Sequence, residues 1–160
     1  MGLMRIKIRR AKIADVPAIC TLSQSLFEHE RQFTDEYNME WSHGKDGKQF
    51  FTKSLKSRAS FILLAEYEKK VIGYILIKLE HVSWRVYNPL ADVTNLSVDP
   101  MYRGQGVGTK LFEHAKSIAK KRGVRRLNVQ ALAGNLRALK FYKTMGFEDF
   151  SVTLLMNIDE

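Results

Sequence analysis

Residues Asp99 to Phe112 read DPMYRGQGVGTKLF, three glycines at alternate positions behind Arg103. Upstream, ADVTNLSV (Ala91–Val98) has the composition of a strand, and Pro100 cannot extend a central one, so the strand stops at or before Asp99. Downstream, Leu111, Ala115, Ile118 and Ala119 recur at helical spacing, and Gly123 sits where a C′ glycine ends a helix. Gly104, Gly106 and Gly108 therefore lie at a helix N-terminus. Several N–H groups there have no intrahelical acceptor, and the helix dipole adds partial positive charge. An anion satisfies such donors, and glycine lets backbone approach it closely. Arg103 and Lys110 add charge. The simplest physical reading is a pyrophosphate cradle. The plainer alternative, a strand–helix turn that needs only flexibility, is weakened by the leading arginine and by the strand–helix setting.

Two other nucleotide motifs do not fit. A P-loop requires a Gly-Lys-Ser/Thr ending, which is missing here. A dinucleotide fold wants its glycines after the first strand of a βαβ series, with an acid about 20 residues on. Here the glycines fall past mid-chain, and RRLNVQAL (Arg125–Leu132) ends without one.

Outward from this stretch, the chain reads as one α+β domain over residues 1–160. Arg5 to Arg9 alternates like a strand. Asp15 is a plausible N-cap and Pro17 lies in the first turn of a helix reaching about Phe27. A polar and aromatic loop leads to a helix near Gln49–Lys56. SFILLAEY and VIGYILIKLE form a hairpin across Glu68, Lys69 and Lys70. RRLNVQAL is a further strand, ALKFYKTMG a helix stopped by Gly146, and FEDFSVTLLMNI one or two closing strands. The order β-α-α-β-β-β-α-β-α-β-β describes a mixed sheet flanked by helices.

Composition narrows the class. Hydrophobic residues at 45% and charged residues at 27% fit a globular protein and argue against disorder. No apolar run approaches the ~20 residues that cross a bilayer. The start MGLMRIKIRR has no signal-peptide pattern, so a cytoplasmic location is the expectation. Cys20 is the single cysteine, at helical spacing with Val16 and Ile19, which suits core packing better than catalysis. The four histidines have no metal-ligand spacing, and no metal is assigned. The 26 Lys and Arg against 17 Asp and Glu favour an anionic partner without naming one.

Arg103-Gly104-Gln105-Gly106-Val107-Gly108 matches, at every defined position, the [RQ]-x-x-G-x-[GA] pyrophosphate motif of the GNAT superfamily of acyl-CoA-dependent N-acetyltransferases. LSVDPMY before it resembles the usual lead-in. NLRALKFYKTMGF, about forty residues later, is similar to the family's second signature, an Asn followed by a helix with F-Y-x-x-x-G-F. The resemblance implies a mostly antiparallel sheet of six to seven strands with about four helices, splayed between strands 4 and 5 to admit acetyl-CoA as cosubstrate. It implies that backbone groups of Leu96, Ser97 and Val98 meet the pantetheine arm and thioester. It gives the Arg103–Thr109 amides the pyrophosphate, and has Asn135 contact the pantetheine or hold its loop. Tyr142 would lie near the sulfur as general acid.

Thr94 stands where many relatives carry a glutamate base. By strand alternation Asp92 shares the face of Thr94 and Leu96, which makes it the candidate base, directly or through water. Glu28, Glu30 and Glu66 are further candidates. The acceptor is expected between Phe27–Trp41 and His81–Leu90, with Phe27, Glu30 and Trp84 as binding residues. Acids at Glu28, Glu30, Asp35, Glu36 and Glu40 would suit a cationic amine, although a solvated helix end explains them as well. Closing strands of this kind pair across dimers in similar proteins, so a homodimer is an open expectation. Two rival readings are an acyl-CoA-binding regulator without turnover and a basic nucleic-acid module using KKRGVRR. The second lacks any recognisable nucleic-acid-binding signature, and neither nucleic acid nor membrane is expected as partner.

Overall fold

The two apolar mid-chain runs pair as an antiparallel hairpin at the sheet centre in the computed structural model, whose described residues are 4–158. The ends of the domain expected over 1–160 lie outside them. The hairpin strands are β2 (Ser60–Tyr67) and β3 (Lys70–Glu80), joined by a turn in which Glu68 and Lys69 both have positive φ, 47° and 67°. That is the backbone twist a tight hairpin demands, met here without glycine. β1 (Lys7–Arg10) pairs with β2 and β4 (Leu90–Val98) with β3, both antiparallel; β5 (Arg126–Val129) pairs parallel with β4. The sheet order is β1-β2-β3-β4-β5.

Alternation along the buried strands feeds two cores. Phe61, Leu63, Ile75, Ile77, Ala91 and Val93 pack under helix α3 (Val107–Lys121), which buries Leu111, Phe112 and Ala115. On the other face Ile62, Leu64, Tyr74 and Leu76 meet Ile19, Cys20 and Leu22 of α1 (Val16–Glu30) and Phe51 of α2 (Lys45–Lys56). Cys20 is fully buried in that core, and burial pushes its thiol pKa up. A fourth helix, α4 (Leu136–Thr144), follows β5. Among the described residues no helix is long and apolar enough to cross a membrane.

Gly73 sets how closely α3 approaches the sheet. A Cβ there would stand 2.9 Å from the Ser97 carbonyl oxygen and 3.2 Å from Leu111 Cδ1. Gly73→Ala is therefore expected to cost about 1–3 kcal/mol by overpacking, read as a fall of several degrees in the thermal midpoint. An unchanged midpoint would show that α3 has slack against β3.

Two expectations need correction. The sheet has five strands, not six to seven, among the described residues. FEDFSVTLLMNI has strand composition, but strand propensity needs a neighbour to pair with, and residues 147–158 have none. The second correction concerns β4. Ile77 pairs with Val93 and Leu76 with Asn95, so Thr94 is the extra residue of a bulge. A bulge breaks the two-residue alternation. Val93 and Leu96 both face the α3 core, and Asp92 lies on the face opposite Leu96, not the same one.

Candidate active site

The β4–β5 ladder runs from Leu90↔Arg126 to Val93↔Val129 and stops. β4 continues alone on that side to Val98, so the sheet opens into a cleft beside Thr94–Val98. Backbone groups of an unpaired strand need partners, and an extended ligand can supply them. Leu96 and Val98 pack half-buried toward α3. The Ser97 hydroxyl is already committed, donating to the Leu22 carbonyl at 2.8 Å and tying α1 to the cleft wall. Only its backbone remains for binding.

At the top of β4, Asp99 folds the chain over. Its carboxylate accepts from the Met101 amide at 3.0 Å and from Lys70 Nζ at 2.9 Å, and Pro100–Tyr102 form one 3-10 turn. Gly104 and Gly106 then take positive φ, 74° and 80°, which turns the chain directly into α3. Gly106 is the N-cap and offers no side-chain hydrogen bond, while its own carbonyl accepts from Lys110 N at 3.0 Å. The first-turn amides of Val107, Gly108 and Thr109 therefore lack a capping acceptor. The Gln105 side chain bonds back to the Met101 carbonyl at 3.1 Å, and Gln105 and Thr109 are exposed.

Positive charge gathers beside these amides. Arg103 Nε donates to the Val98 carbonyl at 3.0 Å, which anchors the guanidinium at the end of β4. Its pKa is lowered by burial and then by the neighbouring charge of Arg137 on α4. His29, near the end of α1, is also lowered, by burial first and then by Arg103 and Arg137. Two guanidinium groups, Arg103 and Arg137, thus come from two elements to one region beside the imidazole of His29, and the nearby Asp99 is already paired with Lys70. Such an arrangement suits a polyanion. His29 and Arg137 carried no legible signal, because only folding brings them to Arg103.

α4 lines the other side. Asn135 is its buried N-cap, its side chain accepting from the Ala138 amide at 3.1 Å, so it holds the loop. Tyr142, one turn before Gly146, packs its ring edgewise on Phe141 and Phe147 at 5.3 and 5.6 Å between centroids. Its hydroxyl pKa is pushed up to about 12, by burial first and then by the negative charge of Glu30.

Glu30 ends α1. It is half-buried, and burial raises its pKa while the nearby Tyr37 hydroxyl pulls it down. Tyr37 stacks on Phe27 at 4.6 Å, and Phe27 on Trp41 at 5.8 Å, giving an aromatic wall beside the carboxylate. The other carboxylates are occupied or remote. Glu66 accepts from Arg9 at 2.8 Å, Glu28 is exposed, and Asp92 accepts from Asn128 Nδ2 at 2.7 Å on the paired part of the sheet. Trp84 is 77% exposed, under the Arg85 guanidinium, with no contact to the Phe27 wall.

Known proteins share this sequence and fold in part. The chain is 31% identical over 108 residues to an uncharacterised N-acetyltransferase of Methanocaldococcus jannaschii, covering 68% of this chain and 48% of the relative, about half its length. It is 30% identical over 149 residues to the thialysine N-ε-acetyltransferase of Bos taurus, covering 91% and 86%. A tetramutant of the BH1408 protein of Bacillus halodurans superposes with a TM-score of 0.84 at 22% identity, covering 95% of this chain and 99% of that one. The aminoglycoside N-acetyltransferase AAC(6')-Iy in complex with CoA superposes with a TM-score of 0.76 at 15% identity, covering 99% and 97%. Both structures share the fold. The family model for GNAT acetyltransferases matches residues 21–147, so the chain belongs to the GNAT acetyltransferase family.

Proposed function

We propose that this protein is an N-acetyltransferase that moves an acetyl group from acetyl-CoA to a primary amine by direct aminolysis in a ternary complex. The observation that carries this is the uncapped start of α3, with Gly104 and Gly106 at positive φ, at the mouth of a cleft lined by unpaired β4 backbone. Val107–Thr109 amides with Arg103 and Arg137 would hold the diphosphate, and Leu96–Val98 backbone the pantetheine and thioester.

Aminolysis forms a C–N bond and breaks a C–S bond. The amine must lose a proton and the departing thiolate must gain one. Tyr142 is assigned the second task, since a phenol kept protonated by burial is a ready donor. Glu30 is assigned the first, as a half-buried carboxylate within charge reach of Tyr142 and beside Tyr37. It takes the part sequence reading gave to Asp92. Phe27, Tyr37 and Trp41 would hold the carbon skeleton of the acceptor while Glu30 attracts its ammonium form. The names of the bovine relative and of AAC(6')-Iy point to amines on flexible or polyhydroxylated chains, which fits a wall of stacked rings beside one acid.

Acetyl-CoA at a hundred times its Kd should stabilise the fold by about 2.7 kcal/mol by mass action, measurable as a rise in thermal midpoint. Thiol release with a panel of polyamines, aminoglycosides, lysine analogues and peptide N-termini then identifies the acceptor. No midpoint shift at millimolar acetyl-CoA rules the proposal out.

A further inference from the structure

β4 and β5 run toward the cleft from the other end of the sheet, and that end gathers arginine. Arg10 closes β1, Arg58 precedes β2, Arg85 lies in the β3–β4 loop, Arg122 follows α3, and Arg125 and Arg126 open β5. Contacts tie them into one surface. Arg10 and Arg122 lie over the buried Phe61 ring at 5.4 and 5.0 Å, and Arg122 donates to the Arg58 carbonyl at 3.2 Å. Arg125 and Arg126 lie over Tyr87 at 5.6 and 4.1 Å, and the Arg125 amide donates to the Pro89 carbonyl at 3.1 Å. Arg85 lies over Trp84 at 4.8 Å. Asn88 holds the loop that carries both rings, exchanging hydrogen bonds with the Val82 backbone at 3.0 and 2.9 Å.

This charge is not neutralised. None of these arginines is in an ion pair among the described residues, while Glu80 and Asp15 already pair with Lys78 and Arg9. A basic face kept only for solubility would use mobile lysines and would not set a tryptophan 77% exposed among them. Guanidinium groups laid on rings are held in place, each with its fork of donors turned to a phosphate and a flat face for a base. From β1 to β5 the surface spans four strand spacings, about 19 Å. The KKRGVRR run carries no nucleic-acid signature of its own, because Arg10, Arg58, Trp84 and Arg85 join it only in the fold.

We propose that this end of the sheet binds single-stranded nucleic acid, with the arginines on successive phosphates and one base stacked on Trp84. Unpaired bases are favoured because an exposed ring on a loop can stack only on a base that is free of its partner strand. An acidic peptide would satisfy the arginines and leave Trp84 in water. A bilayer surface calls for an amphipathic helix that sinks into it, and the rings here sit on a loop. The 15 residues of α3, about 22 Å at 1.5 Å each, separate this surface from the Gly106 end of the cleft, so both can be filled at once. The inference goes beyond the acetyl-transfer reading and stands without it, because its readout is binding alone.

Fluorescence anisotropy of the full chain with labelled oligouridylate and oligothymidylate of about 15 residues tests it. A micromolar Kd at about 100 mM salt is expected, with a log–log salt slope of about −4, that is about −0.7 for each of some six phosphates. The tighter of the two oligonucleotides identifies the sugar. Arg125→Glu with Arg126→Glu should weaken binding at least about tenfold and take about 1.4 off the slope, with the thermal midpoint within a few degrees because both side chains are exposed. Lys7→Glu with Lys69→Glu makes the same charge change at the hairpin-turn end and should leave Kd within about twofold, since salt screens remote charge. Trp84→Ala should weaken both oligonucleotides about fivefold or more, the loss of one stacked base, and leave binding of heparin, a polyanion without bases, unchanged. No binding by about 50 µM protein, an equal loss in the two charge-reversed pairs, or tighter binding to phosphatidylserine vesicles overturns the proposal. So does a Trp84→Ala chain that keeps wild-type affinity for the oligonucleotides or loses heparin equally.

Discussion

Tyr142→Phe should lower kcat for amine acetylation by about 10²–10⁴, the range a positioned general acid supplies, and leave the KM for acetyl-CoA within a few-fold. Phenylalanine keeps the ring contacts with Phe141 and Phe147, so the fold and the cofactor cleft survive and only the hydroxyl is lost. The pH profile separates this from a packing defect. With the phenol pushed up to about 12, Tyr142 stays protonated through the neutral range, and its loss of activity by ionisation falls far into alkali. Glu30, raised by burial, should set the rising limb above the ordinary carboxylate range. Glu30→Gln should remove that limb as well as slow the reaction.

The same shift has a sign in stability. An unfolded tyrosine ionises near pH 10, while folded Tyr142 holds its proton to about 12. Above pH 10 the native state binds more protons than the unfolded one, so stability falls as pH rises through this window. Tyr142→Phe should flatten part of that fall. A variant with near wild-type kcat would remove Tyr142 from the chemistry.

Much of this was legible before folding, where short-range rules decide. The β2–β3 hairpin and α3 follow from periodicity, and the α3 start from glycine spacing, because strand stop, turn and helix lie within one short stretch. What escaped depends on contacts distant in sequence or on a single register event. The bulge at Thr94 inserts one residue and moves Asp92 to the wrong face, and no local composition announces it. Glu30 meets Tyr142, and His29 meets Arg103 and Arg137, across elements more than seventy residues apart. The Phe27–Tyr37–Trp41 stack sits in a stretch without periodicity because ring-on-ring contact, not helix or strand geometry, orders it. The closing strands were misread for the opposite reason. Their composition is that of strands, but a strand also needs a pairing neighbour, and residues 147–158 pair with none among the described residues.

Gly106→Val should weaken CoA binding by at least about a hundredfold. At φ 80° a residue with a Cβ is strained by about 1–2 kcal/mol, and a β-branched one by more. The strain is purely conformational, since a Cβ at Gly106 meets nothing within 4 Å. The chain relieves it by leaving the left-handed region, which swings the amides of Val107 and Gly108 away from a common centre. Each charge-assisted hydrogen bond lost costs about 1.5–3 kcal/mol, and two of them account for the hundredfold at 1.4 kcal/mol per decade. Gly106→Asn tests the cause, because asparagine tolerates this φ; it should keep Kd within about tenfold of wild type by retaining the turn. Gly108→Ala is the fold control: its Cβ would sit 3.5 Å from the Phe141 ring, an ordinary contact, and its φ is not in the left-handed region. Its thermal midpoint without ligand should stay near wild type. Calorimetric titration of CoA into the three variants decides the matter. Equal affinities for Gly106→Val and the wild type would mean that the diphosphate is held somewhere other than the start of α3.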